Sequence, residues 1–373
     1  MAGIYIHIPF CRQACHYCDF HFSTNLKGME EMTEALIKEL ELRKEYLKAE
    51  AVETVYFGGG TPSLLSVNQL ESILGKIDQL FPGTKSEITL EANPDDLAQE
   101  KLSGWKSLGI DRLSLGIQSF HDQILKEYHR AHTAKESQQA IELARKAGFE
   151  KFSIDLIYGF PHDDHSLWKS DLSQALNLDP GHISAYALTV EPKTVLGNWT
   201  KKGKFKPADE DFVAEQFEWL QEQTDRFGYV QYEISNFGKP GQFALHNTNY
   251  WMGSSYLGIG PSAHSFDGVD RGFNPSSNPV YVKAICSGQI PFVIEPLEPV
   301  DQINEKILTS LRTIWGLNMD LIKDQFDVDI RTEKKQEILS LEKQGWLITQ
   351  GNTLSLSRKG QLLADSIASE LFF

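Results

Sequence analysis

The chain has 373 residues, of which 41% are apolar and 23% are charged, so it is long enough to bury a sizeable core and a smaller appended one. Acidic residues outnumber basic ones by 51 to 36, and the net charge of -15 argues against a protein that binds a nucleic-acid backbone. With no apolar run of about 18 residues and no charged-then-apolar leader, we expect a cytoplasmic protein.

Six short runs rich in β-branched and aromatic residues predict buried strands in the first half of the chain. They cover residues 3–8, 53–57, 86–92, 111–118, 151–158 and 182–188. Amphipathic helices separate them, and the clearest is predicted over 29–48, where apolar residues recur every three to four positions. Alternating strands and helices predict an α/β fold with a parallel sheet, either an incomplete (β/α)6 barrel or an open doubly wound sheet.

The pattern loosens after about residue 196. A region rich in glycine, asparagine and aromatic residues extends to about residue 294, and 295–300 has the composition of a linker. Three helical segments and a hairpin turning at Gly351-Asn352 then predict a C-terminal α+β, winged-helix-like domain. We divide the chain into a barrel at 1–235, a connecting region at 236–300 and an accessory domain at 301–373.

Three of the four cysteines lie within eight positions, directly after the first predicted strand: Cys11, Cys15 and Cys18. Their thiolates suit an iron–sulfur cluster or zinc, but closed zinc sites and ordinary ferredoxin clusters take four ligands. One alternative is a zinc site in an interaction protein. The histidines that could complete it are His7, His16 and His21. The other alternative is a 4Fe–4S cluster with three protein ligands and one iron open to a chelating group. Cys286 stands alone, and we expect it to be buried without a metal role.

The spacing Cys-x-x-x-Cys-x-x-Cys at the end of a first strand resembles the loop of radical S-adenosylmethionine (SAM) enzymes. The flanking "YIHIPFC" and "YCDF" resemble the coproporphyrinogen dehydrogenase (HemN) branch of that superfamily. In the family, SAM chelates the open iron, and an electron from the cluster cleaves SAM to methionine and a 5′-deoxyadenosyl radical. The resemblance therefore implies a radical-SAM barrel, a 4Fe–4S cluster on Cys11, Cys15 and Cys18, SAM as a cofactor and an electron donor for the cluster.

Polar and glycine residues at the ends of the predicted strands belong to the same pattern. In "YFGGGTPSLL" the glycines follow the second strand, where they bring the backbone close to a small ligand or simply form a tight turn with Thr61 or Ser63 as helix cap. Glu91, Gln118 and Asp155 end three further strands, and the carboxyl ends of parallel strands are where barrel sites assemble. By motif position, the resemblance implies SAM contacts at Tyr5, Tyr17, Gly59, Gly60, Thr61, Glu91, Gln118, Arg130, Asp155 and Ala187. Arg130 could instead form an ordinary ion pair on a helix surface.

A later motif separates two branches of the family. "ALHNTNYW" resembles the His-Asn-x-x-Tyr-Trp motif of the HemW heme chaperones. A neutral imidazole can bind heme iron, and flat aromatic side chains can cover a porphyrin face. The resemblance therefore implies heme as a ligand, with His246, Asn247, Tyr250 and Trp251 as heme-binding residues. The alternative is a structural histidine within an aromatic turn.

The HemN branch itself carries a further cysteine where this chain has Phe20, and it has an N-terminal extension before the first strand. We therefore expect a HemW-like heme chaperone rather than an oxygen-independent coproporphyrinogen III dehydrogenase, which is the alternative, and we assign no catalytic residue. The expected partners are heme and a heme acceptor such as a membrane respiratory protein, which would bring the chaperone to the membrane surface during delivery. A homodimer is compatible with this function.

Overall fold

The computed structural model describes residues 2–373, and six parallel strands form the centre of its main sheet. The strands are β1 (Ala2–Ile8), β2 (Val52–Gly59), β3 (Glu87–Ala92), β4 (Arg112–Gln118), β5 (Lys151–Tyr158) and β6 (Gly181–Ala187). The helices among them are α1 (Met29–Leu42), α2 (Val67–Leu80), α3 (Gln99–Ser107), α4 (Asp122–Glu127), α5 (Ala134–Lys146) and α6 (Ser166–Leu178). The strands pair in chain order without reversal. A doubly wound sheet would reverse its order at a switch point, so the barrel alternative is confirmed.

Side chains of the six strands alternate between two surfaces. On β1 and β2, Ile4, Ile6, Val55 and Phe57 are fully buried in the hydrophobic core that the strands share with the helices. Between them, the alternate positions Tyr5 and His7 on β1 and Thr54, Tyr56 and Gly58 on β2 are polar, aromatic or glycine and face the interior of the barrel. One face of these strands therefore packs in the apolar core, and the other presents polar side chains to the barrel interior.

Helix α1 is shorter than predicted, since it ends at Leu42 rather than Lys48. The side chain of Arg43, the next residue, is buried and forms an ion pair with Glu39 at 3.2 Å. Lys48 and Ala49 have positive φ angles of 50° and 65°, which an α-helix cannot contain. The apolar period extends past the helix because the following turns pack on the same core.

Ten further elements flank the six strands. They are α7 (Val195–Lys201), α8 (Glu210–Arg226), β7 (Val230–Glu233), β8 (Asn236–Gly238), α9 (Leu245–Trp251), β9 (Tyr256–Ile259), β10 (His264–Phe266), β11 (Arg271–Phe273), α10 (Asn278–Cys286) and β12 (Val293–Glu295). Strand β8 pairs antiparallel with β6, and β9 pairs parallel with β1. The sheet runs from β12 to β7, so the barrel does not close.

Cys286 is exposed, contrary to our expectation. Helix α10 buries Tyr281 and Ile285, which are four positions apart and share one face. Cys286 is one position beyond that face and points to solvent.

The C-terminal segment has its own three-stranded sheet and hydrophobic cluster. Its elements are α11 (Pro299–Leu311), β13 (Leu317–Asn318), α12 (Met319–Phe326), α13 (Ile330–Glu333), α14 (Lys335–Lys343), β14 (Leu347–Gln350), β15 (Thr353–Leu356) and α15 (Ala364–Glu370). The predicted hairpin turns at Gly351, whose φ is +60°. The boundaries 1–235, 236–300 and 301–373 stay a prediction. No helix among residues 2–373 is both long and apolar enough to cross a bilayer.

Candidate functional site

The cysteine loop leaves the carboxyl end of β1 and returns to it. The Cys11 amide donates to the Ser23 carbonyl at 3.1 Å, and the Ser23 amide donates to the Pro9 carbonyl at 2.9 Å. These two bonds close the loop at its base. The three thiols between them are therefore held together above the barrel interior.

The chemistry of the thiols fits a cluster. Burial raises the pKa of Cys11 to about 11 and that of Cys18 to about 12, so binding a metal centre would release their protons. The thiols also contact the predicted SAM residues: the Thr61 hydroxyl donates to Cys11 Sγ at 3.3 Å, and Arg130 Nη1 donates to Cys15 Sγ at 3.3 Å. Among residues 2–373, no three Cys, His, Asp or Glu side chains converge on a single metal ion. A 4Fe–4S cluster instead takes each thiolate on a different iron.

The three histidines considered for zinc hold the loop. His7 Nε2 bonds the His21 carbonyl at 2.8 Å, and His21 Nε2 bonds Asn278 Oδ1 at 2.7 Å. His16 Nδ1 bonds a carbonyl of α4 at 2.9 Å, and its ring lies nearly parallel to that of His129, with centroids 5.0 Å apart. Each imidazole has a protein partner, so their role in the loop is structural.

Gly59, the last residue of β2, and Gly60, the residue after it, allow the cysteine loop to approach that strand. Gly59 has a φ of +103°, and a Cβ there would lie 2.5 Å from the His7 ring. A Cβ on Gly60 would lie 2.6 Å from the Phe10 carbonyl oxygen. The cap proposed at Thr61 or Ser63 is wrong, because Ser66 caps α2 in a capping box. The Thr61 hydroxyl is directed to the thiol of Cys11 instead.

Two predicted carboxylates lie in the barrel interior. Glu91 Oε1 accepts the Tyr56 hydroxyl at 2.7 Å, and burial raises the pKa of Glu91 to about 7. Asp155 accepts the Ser114 hydroxyl at 3.0 and 3.1 Å, and burial raises its pKa to about 6. Burial thus moves the pKa values of both carboxyls toward neutral pH, as is common at functional sites.

Arg130 and Gln118 lie at the rim of the same interior. Arg130 Nη2 donates to Asn93 Oδ1 at 2.8 Å and to the Gly116 carbonyl at 2.7 Å, in addition to its contact with Cys15. The guanidinium thus connects the cluster loop with β4 and the end of β3, and does not form the surface ion pair considered above. Gln118 has a φ of +66°, a strained conformation for this residue type that recurs at ligand sites.

The remaining predicted SAM residues surround this interior. The Tyr5 ring stacks on Tyr56 with centroids 6.0 Å apart, and Tyr17 packs near Tyr128 at 6.4 Å. Ala187 is the last residue of β6. The structure thus gathers the predicted SAM residues within the barrel or at the carboxyl ends of its strands, and their role as ligand contacts stays a prediction.

The predicted heme motif lies at the opposite end of the barrel. Glu87, the first residue of β3, accepts the backbone amides of Leu245 and His246 at 3.0 and 2.9 Å. Arg112, the first residue of β4, pairs with Glu87 at 2.8 Å and donates to the carbonyl of Phe243 at 2.9 Å. This buried ion pair fixes α9 against the amino-terminal ends of the strands.

Within α9, His246 turns toward the barrel interior. Its Nδ1 bonds Thr54 Oγ1 at 2.9 Å, and its ring lies 5.1 Å from that of Tyr56. Burial lowers the pKa of His246 to about 4, so the imidazole is neutral at physiological pH.

The other motif residues face different neighbours. Tyr250 is 41% exposed and contacts the Tyr256 ring at 5.4 Å. Trp251 lies under the guanidinium of Arg312 at 5.1 Å, and Asn247 is half-buried. The predicted heme residues therefore share one short helix, and only His246 is seen to contact the barrel interior.

Sequence reasoning missed Tyr56, Thr54 and the Glu87–Arg112 pair. Thr54 and Tyr56 lie on the face of β2 that alternates with the apolar residues Val55 and Phe57, and counting in steps of two from Gly58 would have placed both in the interior. No pattern in the sequence indicates the Glu87–Arg112 ion pair, because the pair acts on α9, which lies more than 100 residues later in the chain.

Comparison with known proteins gives matches to two families. Residues 5–171 match the Radical SAM superfamily, and residues 297–363 match the HemN C-terminal domain. The heme chaperone HemW of Bacillus subtilis is 33% identical over 98% of both chains. HemW of Synechocystis is 35% identical over 97% of this chain and 90% of its own. The solved structure of coproporphyrinogen III oxidase (HemN) from Escherichia coli matches with a TM-score of 0.85 at 22% identity, covering all of this chain and 90% of that one, which shows a shared fold.

Proposed function

Because the chain belongs to the HemW family of heme chaperones within the radical SAM superfamily, we propose that it binds heme through His246 and passes it to an acceptor protein. Its relatives of similar length carry the name of a heme chaperone. The observation in the structure that carries the proposal is the placement of His246, whose neutral ring contacts the interior of the barrel.

His246 has the features of a heme ligand. Its Nδ1 is engaged by Thr54, and orienting one ring nitrogen in this way is how proteins prepare the other for a metal. Nε2 has no hydrogen-bond partner among residues 2–373. The low pKa keeps the ring neutral well below pH 7, and the tautomer that donates Nδ1–H to Thr54 leaves Nε2 without a proton. In that tautomer His246 is available to iron without first losing a proton.

The protein carries a 4Fe–4S cluster and SAM as cofactors. We assign the cluster to Cys11, Cys15 and Cys18, the only cysteines on the loop, with the SAM residues gathered beside it. When bound, the cluster supplies one-electron chemistry. The chain's own residues orient the ligands: Arg130 keeps a positive charge beside the thiols, and Glu91 offers a carboxylate from the interior.

The heme acceptor, the electron donor and the oligomeric state of the protein are also proposals. The acceptor is a heme protein, for which we favour a membrane respiratory protein reached from the cytoplasm. An electron donor reduces the cluster, and a homodimer is the assembly we favour. These follow from the family's function, and each can be tested on its own.

An anaerobic heme titration followed by visible absorption tests the proposal. It compares the cluster-reconstituted protein with His246→Ala and with His165→Ala, which removes a half-buried imidazole paired with Glu215 at 2.7 Å. We expect saturable, stoichiometric binding in the wild type and in the control, and weaker binding or a changed spectrum in His246→Ala. Equal binding in all three proteins would place the ligand elsewhere. No saturable binding in any would refute the chaperone function.

Incubation with coproporphyrinogen III, SAM and a reductant separates the chaperone from the enzyme alternative. Only a coproporphyrinogen III dehydrogenase would remove carboxylates from the tetrapyrrole. The position of the further HemN cysteine is occupied by Phe20, whose side chain is 67% exposed. We expect the substrate to be recovered unchanged.

A further inference from the structure

One side chain lies between the two proposed sites. The hydroxyl of Tyr56 donates to Glu91, at the SAM end of the interior, with an O–O distance of 2.7 Å. The ring of the same tyrosine lies 5.1 Å from that of His246, with 31° between the ring planes. Glu91 and His246 therefore share a neighbour, although they belong to sites at opposite ends of the barrel.

Glycines make the room for this arrangement. A Cβ on Gly58 would lie 2.9 Å from the Tyr56 ring and 3.0 Å from Glu91 Oε1. A Cβ on Gly3 would lie 2.9 Å from Thr54 Oγ1 and 3.0 Å from the His246 ring. Both positions face the interior, and neither glycine has a positive φ. Their small size, rather than their backbone freedom, brings these side chains together.

We propose that Tyr56 is a positioning residue shared by the SAM site and the heme site, and that it couples their occupation. The heme half of this inference rests on the proposed function. The SAM half rests on the assignment of Glu91 to the SAM site and can be measured without heme.

The coupling has a simple physical path. A tyrosine ring moves as a rigid plane, so a change at its hydroxyl also changes the position of its face. A ligand that hydrogen-bonds to Glu91 competes with the Tyr56 hydroxyl or reorients it. The displaced ring then alters the packing around His246, whose other anchor is Thr54. Because coupling between binding sites is reciprocal, a ligand on His246 must affect SAM affinity by the same factor.

A double-mutant cycle on SAM affinity tests the inference in heme-free, cluster-reconstituted protein. The variants are Tyr56→Phe, His246→Ala and their combination, with equilibrium dialysis of SAM as the measurement. His246→Gln is a second variant, and thermal unfolding checks that each protein is folded. The control is Tyr229→Phe, which removes a hydroxyl bonded to the Asp179 carboxylate at 3.2 Å, outside the barrel interior.

We expect His246→Ala to change the SAM dissociation constant roughly threefold or more when Tyr56 is present, and to leave it unchanged in the Tyr56→Phe background. In the Tyr229→Phe background, His246→Ala should keep its full effect. An equal effect with and without the Tyr56 hydroxyl, or no effect in either background, would overturn the inference.

The heme titration extends the test. SAM should change the heme dissociation constant of the wild type about fivefold or more, and Tyr56→Phe should bring the ratio close to unity. Heme binding with the same ratio in both proteins would contradict the coupling. If no protein binds heme, the proposed function fails, whereas the SAM cycle still decides the role of Tyr56.

Discussion

Glu91 shows how a single residue relates stability to ligand binding. In the folded protein its pKa is raised from 4.5 to about 7, because the carboxyl lies in the barrel interior. Between these values the folded state holds a proton that the unfolded state has released. The stability that this proton provides is complete below pH 4.5 and is lost as the pH rises through 7. The carboxylate that we propose for SAM binding is therefore kept at a cost in stability.

Glu91→Gln should separate the two effects. The amide still accepts a hydrogen bond from Tyr56 but carries no charge, so we expect the cluster-free protein to gain roughly 1 to 2 kcal/mol at about pH 8, allowing for solvent in the interior. At about pH 5, where Glu91 is already neutral, the gain should nearly vanish. SAM binding should weaken. Chemical denaturation at both pH values measures this, with Glu71→Gln on exposed α2 as control. A loss of stability at both pH values would contradict this prediction, because it would mean that the ionised carboxylate of Glu91 does not destabilise the folded protein.

At the residue scale, motifs in the sequence indicate candidate chemical groups but not the side chains that position them. Cysteines, glycines and carboxylates at strand ends are visible as motifs. Tyr56 has no motif of its own, since its role depends on His246 nearly two hundred positions later in the chain. The motif also did not show that His246 and Tyr250 have different neighbours, because this depends on how α9 meets the strands.

The cysteine loop packs directly against Gly59 and Gly60 at the end of β2, so the two segments form one structural unit. The Gly60 amide donates to the Ile8 carbonyl at 2.9 Å, and its missing side chain leaves room for the Phe10 carbonyl. The backbone of this loop is thus fitted against the backbone of the turn. A side chain added at Gly60 would meet backbone atoms, which cannot move aside as a flexible side chain could.

Gly60→Ala should therefore damage the cluster site. We expect a loss of roughly 2 kcal/mol in stability and a reduced content of iron and sulfide per chain after reconstitution. The control is Gly75→Ala in α2, where a Cβ meets nothing within 4 Å and should stabilise the helix by about 0.5–1 kcal/mol. Full cluster content in Gly60→Ala would show that the loop does not need this close approach.

At the element scale, the strands and helices of the barrel were predictable because each buries an apolar face with its own period. The choice between a barrel and a doubly wound sheet was not, since strand order depends on contacts between distant segments. Short flanking strands such as β10 and β11, with three residues each, are too brief to show a period. Helix α15 was missed at the end of the chain.

Across the whole molecule, Arg312 joins the C-terminal segment to the barrel. It follows α11 and pairs with Glu233 at 2.9 Å and with Asp365 at 2.7 Å, while its guanidinium covers Trp251. Glu233 is only 1% exposed. One side chain thus links the end of β7, the last helix and the predicted heme motif, a juxtaposition that no local pattern reveals.

Arg312→Ala should destabilise the protein by roughly 3 kcal/mol, because it leaves the buried Glu233 without its cation. Arg312→Lys should recover part of this loss, since it keeps the charge without the planar fork. Equilibrium denaturation gives both values. Lys323→Ala is the matched control: it removes an exposed pair with Asp329 and should cost well under 1 kcal/mol. An equal, small effect of both alanine variants would show that the link is not needed for stability.

The most direct test of the central claim is a heme-transfer measurement. Heme-loaded protein is separated from free heme by gel filtration under anaerobic conditions and then mixed with apomyoglobin as a spectroscopic acceptor. The account predicts that the wild type retains heme through the column and releases it to the acceptor, while His246→Ala emerges without heme. A wild type that retains no heme, or that retains heme and never releases it, would contradict the function of a heme chaperone.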